Sequence, residues 1–144
     1  MPPTNTAGAN AVAAQRQFLV TIEGIAGTFA TKTGGETSAD TSDVYDGGKK
    51  HPEKLASPAT TDNVTVSRPF RPARDGALAK RLRPLVGSYR STVTVQPTDA
   101  DLIPVGAPTV YANALLVRLA DPEHDAASGD SSTIELEFAV ETVA

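Results

Sequence analysis

The side chains that could do chemistry in this sequence are few and widely spaced. His51 and His124 lie in polar segments, and neither has a second metal-ligating residue three or four positions away on a predicted helix or strand. The sequence PEHD places two carboxylates around His124, and DTSD at residues 40–43 could hold a hard cation, but both lack the glycine turn and terminal glutamate of an EF-hand loop. We therefore predict no metal site.

Catalytic motifs are missing as well. The chain has no cysteine, which excludes disulfides, thiolate metal sites and cysteine nucleophiles. It also has no G-x-S-x-G, no phosphate-binding loop and no G-x-G-x-x-G after a strand. We expect a protein that is not an enzyme and needs no cofactor.

Charge placement is more informative than these motifs. Residues 67–90 hold seven basic residues and one acidic residue, whereas the rest of the chain holds six basic and sixteen acidic residues. A solvated helix face would explain this cluster, and a nucleic-acid patch is disfavoured by the net charge of −4 and because no aromatic stacking platform accompanies the arginines. A third interpretation is an assembly surface for the acidic body of another copy. Its candidate residues are Arg68, Arg71, Arg74, Lys80, Arg81 and Arg83.

The elements that position these residues are mostly strands. QFLVTIEG at residues 17–24 and STIELEFAVETV at residues 132–143 alternate between apolar and polar side chains, as half-buried strands do. ARDGALAKRLRPLVG at residues 73–87 has a helical apolar stripe containing Ala77, Leu78, Leu82 and Leu85, and Pro84 must shorten or kink its last turn. The predicted order is two strands, a long loop, a strand, the helix and three more strands.

This order predicts a fold that is mainly β with one short α-helix, an antiparallel β-sandwich or partly open barrel. Residues 1–14 are expected to form a flexible N-terminal arm. Residues 15–144 are expected to form a single domain with an extended polar loop at residues 31–60. The sequence shows neither a signal peptide nor an apolar stretch long enough to span a membrane, so we expect no membrane partner.

The polar run GGETSADTSDVYDGGKKHPEK at residues 34–54 has almost nothing to bury in its own core. Ordinary surface disorder would suit its composition. It would equally suit a segment that lies on a neighbouring subunit, with its glycines allowing sharp turns and close backbone approach. The candidate interface residues are Gly34, Gly35, Asp40, Asp43, Asp46, Gly47, Gly48, Lys49, Lys50 and Lys54.

Taken together, the opening strand FLVTIEG, the long polar loop, the segment KKHPEKLASPATTDNVTVSRPF, the helix DGALAKRLRPLVG and the closing alternating strand resemble the tail tube proteins of long-tailed bacteriophages and related injection machines. The resemblance extends over most of the chain, from about Phe18 to Val143. It rests on the order of elements, and this sequence departs from the pattern in having Pro84 within the helix and no tryptophan.

That resemblance implies a virion tail protein, assembled in the host cytoplasm, whose partner is itself. Hexameric rings would form one continuous β-barrel and stack into a hollow tube that conducts DNA without binding it specifically. Tape-measure, tail terminator and tail tip proteins would be further partners. The sequence does not show whether a contractile sheath surrounds the tube, although the short chain without decorating domains slightly favours a simple tube. An acidic inner wall would repel phosphates, and its candidates are Glu135, Glu137 and Glu141. The alternative is a β-sandwich binding module of the adhesin or carbohydrate-binding kind that uses the 31–60 loop.

Overall fold

The structure of the chain, a computed structural model, describes residues 12–48, 50–122, 126–127, 129 and 132–144. A short 3-10 helix, Arg83–Leu85, directly follows the α-helix. The elements formed by the described residues, in chain order, are β1 (Phe18–Ile22), β2 (Ile25–Phe29), β3 (Thr31–Gly34), β4 (Thr37–Ser38), β5 (Thr41–Val44), β6 (Glu53–Ala56), β7 (Thr60–Thr61), β8 (Val64–Pro69), α1 (Pro72–Leu82), β9 (Arg90–Pro97), β10 (Thr109–Ala120), β11 (Thr133–Ala139) and β12 (Thr142–Val143).

One antiparallel sheet forms the body of the molecule. Its strand order is β2-β1-β9-β10-β11-β8-β3, and β12 pairs with β10. β2 and β3 are separated only by Ala30 in the chain, yet they lie at opposite ends of this order. The sheet must therefore curl until its two ends approach each other, and the Ala30 amide donates to the Ser67 carbonyl of β8 at 2.9 Å. The sheet stays open in the single chain, and the predicted mainly β, antiparallel fold class with one short helix is confirmed.

The core lies inside this curl and consists of the alternating apolar residues of the strands. Ile134, Leu136 and Phe138 of β11 are fully buried, as the period-two pattern predicted. Val64 and Val66 of β8 face the same core. Alternation therefore identified the inner face of β11.

The helix α1 covers part of this core, and Pro84 shortens it as predicted. Pro72 occupies its start, where a missing amide costs nothing, and the helix ends at Leu82 because Pro84 cannot continue it. Leu78, Ala79 and Leu82 are buried, whereas Ala77 and Leu85 are exposed. The predicted apolar stripe was thus right for Leu78 and Leu82 and wrong for Ala77 and Leu85.

Residues 37–61, predicted as part of a loop, form a β-ribbon that we call the polar hairpin. β4 pairs with β7 and β5 pairs with β6, continuing outward from the β3–β8 pair of the main sheet. The Asp40 carbonyl, between these pairs, accepts a bond from the Ser57 amide at 2.7 Å. Every residue of β5 and β6 is exposed. Sequence alternation could not reveal these strands, because backbone hydrogen bonds hold them without burying either face.

Candidate assembly interface

Two glycines connect the polar hairpin to the body. Gly34 and Gly35 both have left-handed backbones, with φ of +81° and +82°. A Cβ atom on Gly34 would meet the Asn63 carbonyl, and one on Gly35 would lie 2.7 Å from the hydroxyl of Tyr111. Lys32 supports this junction by donating to the Gly34 carbonyl at 2.8 Å. The sharp turn and close approach expected of these two glycines are present, and their part in assembly stays a prediction.

The other two predicted glycines, Gly47 and Gly48, lie at the tip of the polar hairpin. Gly48 has a positive φ of 94°, whereas Gly47 does not adopt the left-handed conformation. A Cβ atom at either position would meet open space. Lys50 is exposed beside them, and Lys49 lies outside the described residues. The tip thus presents polar backbone and side chains to solvent.

The three predicted aspartates of the polar hairpin differ in their surroundings. Asp43 forms an ion pair with Lys54 across the β5–β6 ladder. Asp40 and Asp46 are exposed and make no ion pair with any part of the chain that the structure describes. Asp43 and Lys54 therefore neutralise each other, whereas Asp40 and Asp46 have no cationic partner among the described residues.

Exposed apolar side chains on the polar hairpin were missed by the sequence reasoning, which concentrated on its charges. Val44, Tyr45 and Leu55 are 40%, 76% and 51% exposed. Val44 pairs with Glu53 and Ser42 with Leu55, so Val44 and Leu55 share one face of the ribbon. The dipeptide Val44-Tyr45 within a polar run was the sequence signal that could have found this face.

A second apolar projection was also missed. Leu102 and Ile103 are each more than half exposed in the loop after β9, and Leu102 has a φ of +60°. The Asp99 carboxylate holds this loop by accepting bonds from the amides of Asp101 and Ile103, both at 2.9 Å. A bulky residue with a positive φ is uncommon. The two bonds to Asp99 hold the loop in this conformation, which leaves Leu102 and Ile103 exposed.

Arg68, predicted to lie on the basic assembly surface, is instead buried. Its side chain is 2% exposed and forms an ion pair of 2.6 Å with the fully buried Asp75. It also donates to the Ala26 carbonyl at 2.7 Å and lies 4.5 Å from the centre of the Phe29 ring. Arg68 occupies the inward position after Val64 and Val66 in β8, so it joins the core only because Asp75 balances its charge.

Asp75 is the centre of a small ionic cluster at the start of α1. Its carboxylate accepts bonds from Arg74 at 3.0 and 3.1 Å, from the Arg71 amide at 2.9 Å and from Arg68. Burial alone raises the pKa of Asp75, but the bonds from Arg74, the Arg71 amide and Arg68 together outweigh it and hold the pKa below its ordinary value. The carboxylate is therefore a charged structural element.

The other five residues predicted for the basic surface reach solvent, and their role in assembly stays a prediction. Arg71, Lys80, Arg81 and Arg83 are exposed and Arg74 is partly so. Arg83 is paired with Asp121, and Arg81 donates to the Gly24 carbonyl at 3.1 Å. The corrected basic surface thus excludes Arg68, and two of its members, Arg74 and Arg83, are already paired with an acid.

Between α1 and the β1–β2 turn lies a half-open cavity of about 270 Å³, which we call the arginine recess. Three arginines line it, and the buried Asp75 carboxylate, which is not part of the lining, is bonded to two of them, Arg68 and Arg74. The residues lining it are Gly24, Ala26, Arg68, Arg74, Ala77, Leu78 and Arg81.

The predicted lumen acids lie on the outward side of the sheet or next to it, but each has a basic partner. Arg118 of β10 contacts Glu135 at 2.5 Å and Glu137 at 3.5 Å, and Arg90 contacts Glu141 at 3.1 Å. The hydrogen bond to Glu135 raises the pKa of Arg118. Three acids and two arginines leave this region with a small negative excess, so a lumen role for the acids remains a prediction.

Other kinds of site find no support. No group of three or more metal-ligating side chains occurs among the described residues. His51 is exposed, and the PEHD histidine, His124, lies outside the described residues. Across the same described ranges, no helix has the length and apolar character needed to cross a membrane.

The fold is shared with chains of contractile injection systems. A chain of the sheath–tube complex of the PVC extracellular contractile injection system matches with a TM-score of 0.79 and 19% identity over 100% of this chain and 97% of its own. A chain of the tube-terminating cap of the anti-feeding prophage matches with a TM-score of 0.78 and 20% identity, over 96% and 95% of the two chains.

A third match is more distant. Hcp1 of Flavobacterium johnsoniae has a TM-score of 0.52 and 11% identity, over 89% of this chain and 93% of its own. Neither a protein-family model nor a curated protein matches the sequence. The structural neighbours support a tube-like fold, as the sequence resemblance implied.

Proposed function

We propose that this chain is the structural subunit of a hollow tube and that its principal partner is another copy of itself. The observation that carries this proposal is the fold match to a chain of a sheath–tube complex. The match covers 100% of this chain and 97% of the other. A match over the whole length includes the polar hairpin as well as the body. The proposal therefore concerns the entire chain.

The open sheet supports assembly into rings. β2 and β3 end the strand order, and an open edge invites pairing with another chain unless something covers it. In our proposal six copies close these edges by forming one continuous β-barrel, whose rings stack into the tube. Head-to-tail contacts of this kind give either closed rings or filaments.

The polar hairpin supports contacts beyond the ring. It projects exposed apolar and acidic side chains that its own chain leaves uncovered. We propose that it lies on a neighbouring subunit or ring, where Asp40 and Asp46 face the basic surface. Gly34 and Gly35 set the direction in which it leaves the body.

The region of Glu135, Glu137 and Glu141 supports a wall that does not hold a nucleic acid. Each acid is close to an arginine, so the region offers phosphates few free cations. We propose that it lines the lumen of a phage-type tail and lets DNA pass without specific binding. Tape-measure, terminator and tip proteins would complete the tail, and the subunit would have no catalytic role.

Negative-stain electron microscopy and sedimentation across a range of concentration and salt test the proposal. We expect stacked rings or hollow rods. A chain that stays monomeric and also fails to extend tubes seeded by a tail tip would contradict the tube and favour the binding-module alternative.

A shortened hairpin tests its part in stacking. Because the Ser57 amide bonds to the Asp40 carbonyl, these two residues can be joined by an Asn-Gly turn in place of residues 41–56. We expect this variant to fold with the β4–β7 pair intact but to form no rods. Rods as abundant as those of the wild type would show that the hairpin is dispensable for assembly.

A further inference from the structure

We propose that the arginine recess is a receptor for the tip of another copy's polar hairpin, with Asp46 as the carboxylate that it binds and Tyr45 as the ring beside it. This inference rests on the proposed function, because it requires copies that assemble. It assigns one defined pair of surfaces to the contact between subunits.

The charges of the recess favour a carboxylate. Arg68 and Arg74 share Asp75, whereas Arg81 uses one nitrogen on the Gly24 carbonyl and keeps its other donors free. The Nε atom of Arg68 is buried and has no hydrogen-bond partner among the described residues. The recess is thus lined by three cations and no acid, and one carboxylate, the buried Asp75, balances two of them. Guanidinium groups can bind a further carboxylate with two parallel hydrogen bonds.

The size and the lining of the recess favour a side chain over a free small molecule. Its volume of about 270 Å³ is below the roughly 300–1,000 Å³ of typical small-molecule sites. Ala26, Ala77 and Leu78 add an apolar wall next to the arginines. A site of this kind suits an aromatic ring followed directly by an acid.

The tip of the polar hairpin supplies that pair. Asp46 lies beyond the last paired residues of the ladder, Val44 and Glu53, so it can enter a recess without breaking the ribbon. Tyr45 is the most exposed aromatic side chain of the described residues at 76%. Asp43 is less suitable because Lys54 already neutralises it.

Crosslinking tests the contact directly. The chain has no native cysteine, so Gly47→Cys with Ala77→Cys introduces only one thiol on each proposed surface and keeps the Asp46 carboxylate. A Cβ atom at Gly47 would meet open space, and this residue has no positive φ. A disulfide requires Cβ atoms about 3.5–4.5 Å apart. In oxidised assemblies we expect a ladder of linked copies on a non-reducing gel. The matched control is Asp40→Cys with Ala77→Cys, which moves the thiol from the tip to an exposed residue elsewhere on the same hairpin and should give no ladder.

Charge reversal gives a second measurement. We expect Arg81→Glu to raise the concentration needed for assembly about tenfold or more, because it places two acids together in a desolvated contact. Adding Asp46→Arg to the same chain should restore assembly. Arg16→Glu makes the same charge change at an exposed arginine outside both the recess and the basic surface, and it should shift assembly by less than about threefold.

The outcomes separate this inference from the tube itself. Rods that form normally in the Arg81→Glu variant, or tip crosslinks no stronger than those of the Asp40→Cys control, would overturn the receptor and leave the tube standing. Wild-type protein that never forms rods, even from a seed, would overturn both.

Discussion

The body and the polar hairpin are both antiparallel β-structure, yet they are held together in opposite ways. In β11 every second side chain is fully buried, whereas in β5 and β6 every residue is exposed. A two-stranded ribbon without a buried face is marginally stable in water. The difference teaches that the body can be stable as a single chain, while the polar hairpin depends on whatever covers it.

The largest expected effect lies in the core. Phe138→Ala removes a fully buried ring and should cost about 3–5 kcal/mol of unfolding free energy. Tyr45→Ala removes a ring at the hairpin tip and should change the unfolding free energy by no more than about 0.5 kcal/mol. Urea unfolding of the unassembled chain measures both values. Similar losses in the two variants would mean that the hairpin belongs to the core after all.

The buried ion pair gives the next largest effect. Asp75→Asn leaves the Arg68 guanidinium buried without a charged partner and should cost about 3–5 kcal/mol. Asp43→Asn, in the exposed pair with Lys54, should cost at most about 1 kcal/mol. Comparable losses of unfolding free energy in the two variants would show that burial does not make the Asp75 ion pair more stabilising than the exposed Asp43 pair.

The pH dependence of stability checks the same pair. Because the folded pKa of Asp75 lies below its unfolded value, its charge stabilises the fold fully above the ordinary carboxyl pKa of about 3.9. That stabilisation is lost as the pH falls below this value and through the folded pKa. Unfolding free energies measured between pH 6 and pH 3 should fall less steeply in Asp75→Asn than in the wild type.

The same contrast explains what the sequence could predict. Alternation over Ile134, Leu136 and Phe138 predicts the strand, its inner face and its place in the core. The pattern is informative because every second side chain of a strand points to the core and is apolar for that reason. Continuing the pattern of Val64 and Val66 places Arg68 inward too, but an arginine at that position looks like a surface residue until Asp75 is known to face it. Composition can show a charge cluster but cannot show which members are buried.

The polar hairpin lay beyond such reasoning for a different reason. Its strands are defined by backbone hydrogen bonds between residues such as Thr37 and Thr61, and neither face repeats an apolar pattern. The glycines that direct it were recognisable as turn formers, but the contact of Gly35 with Tyr111 depends on two distant parts of the chain meeting. The arginine recess likewise combines the β1–β2 turn, β8 and α1.

An intermediate effect is expected where body and hairpin join. Gly35→Ala places a Cβ atom against the Tyr111 ring in a left-handed backbone, a conformation that alone costs an alanine about 1–2 kcal/mol. Gly47→Ala, at the open tip and without a positive φ, should be nearly neutral. Urea unfolding compares them, and equal stability of the two variants would contradict the tight junction.

The smallest effect on the single chain is expected on the exposed apolar face of the hairpin. Leu55→Ser should leave unfolding free energy within about 0.5 kcal/mol of the wild type, because this side chain is already half exposed. Sedimentation should nevertheless show that the variant needs a higher concentration to assemble, because the Val44–Leu55 face loses apolar area that a neighbour would cover.

Ala56→Ser provides the control for that measurement, because Ala56 pairs with Thr41 on the opposite face of the ribbon. It should change neither stability nor assembly. If Leu55→Ser lowered stability and left assembly unchanged, its side chain would be supporting its own fold. That result would contradict the contrast between a body that is stable alone and a hairpin that depends on a partner. It would give the Val44–Leu55 face a role in the stability of the single chain.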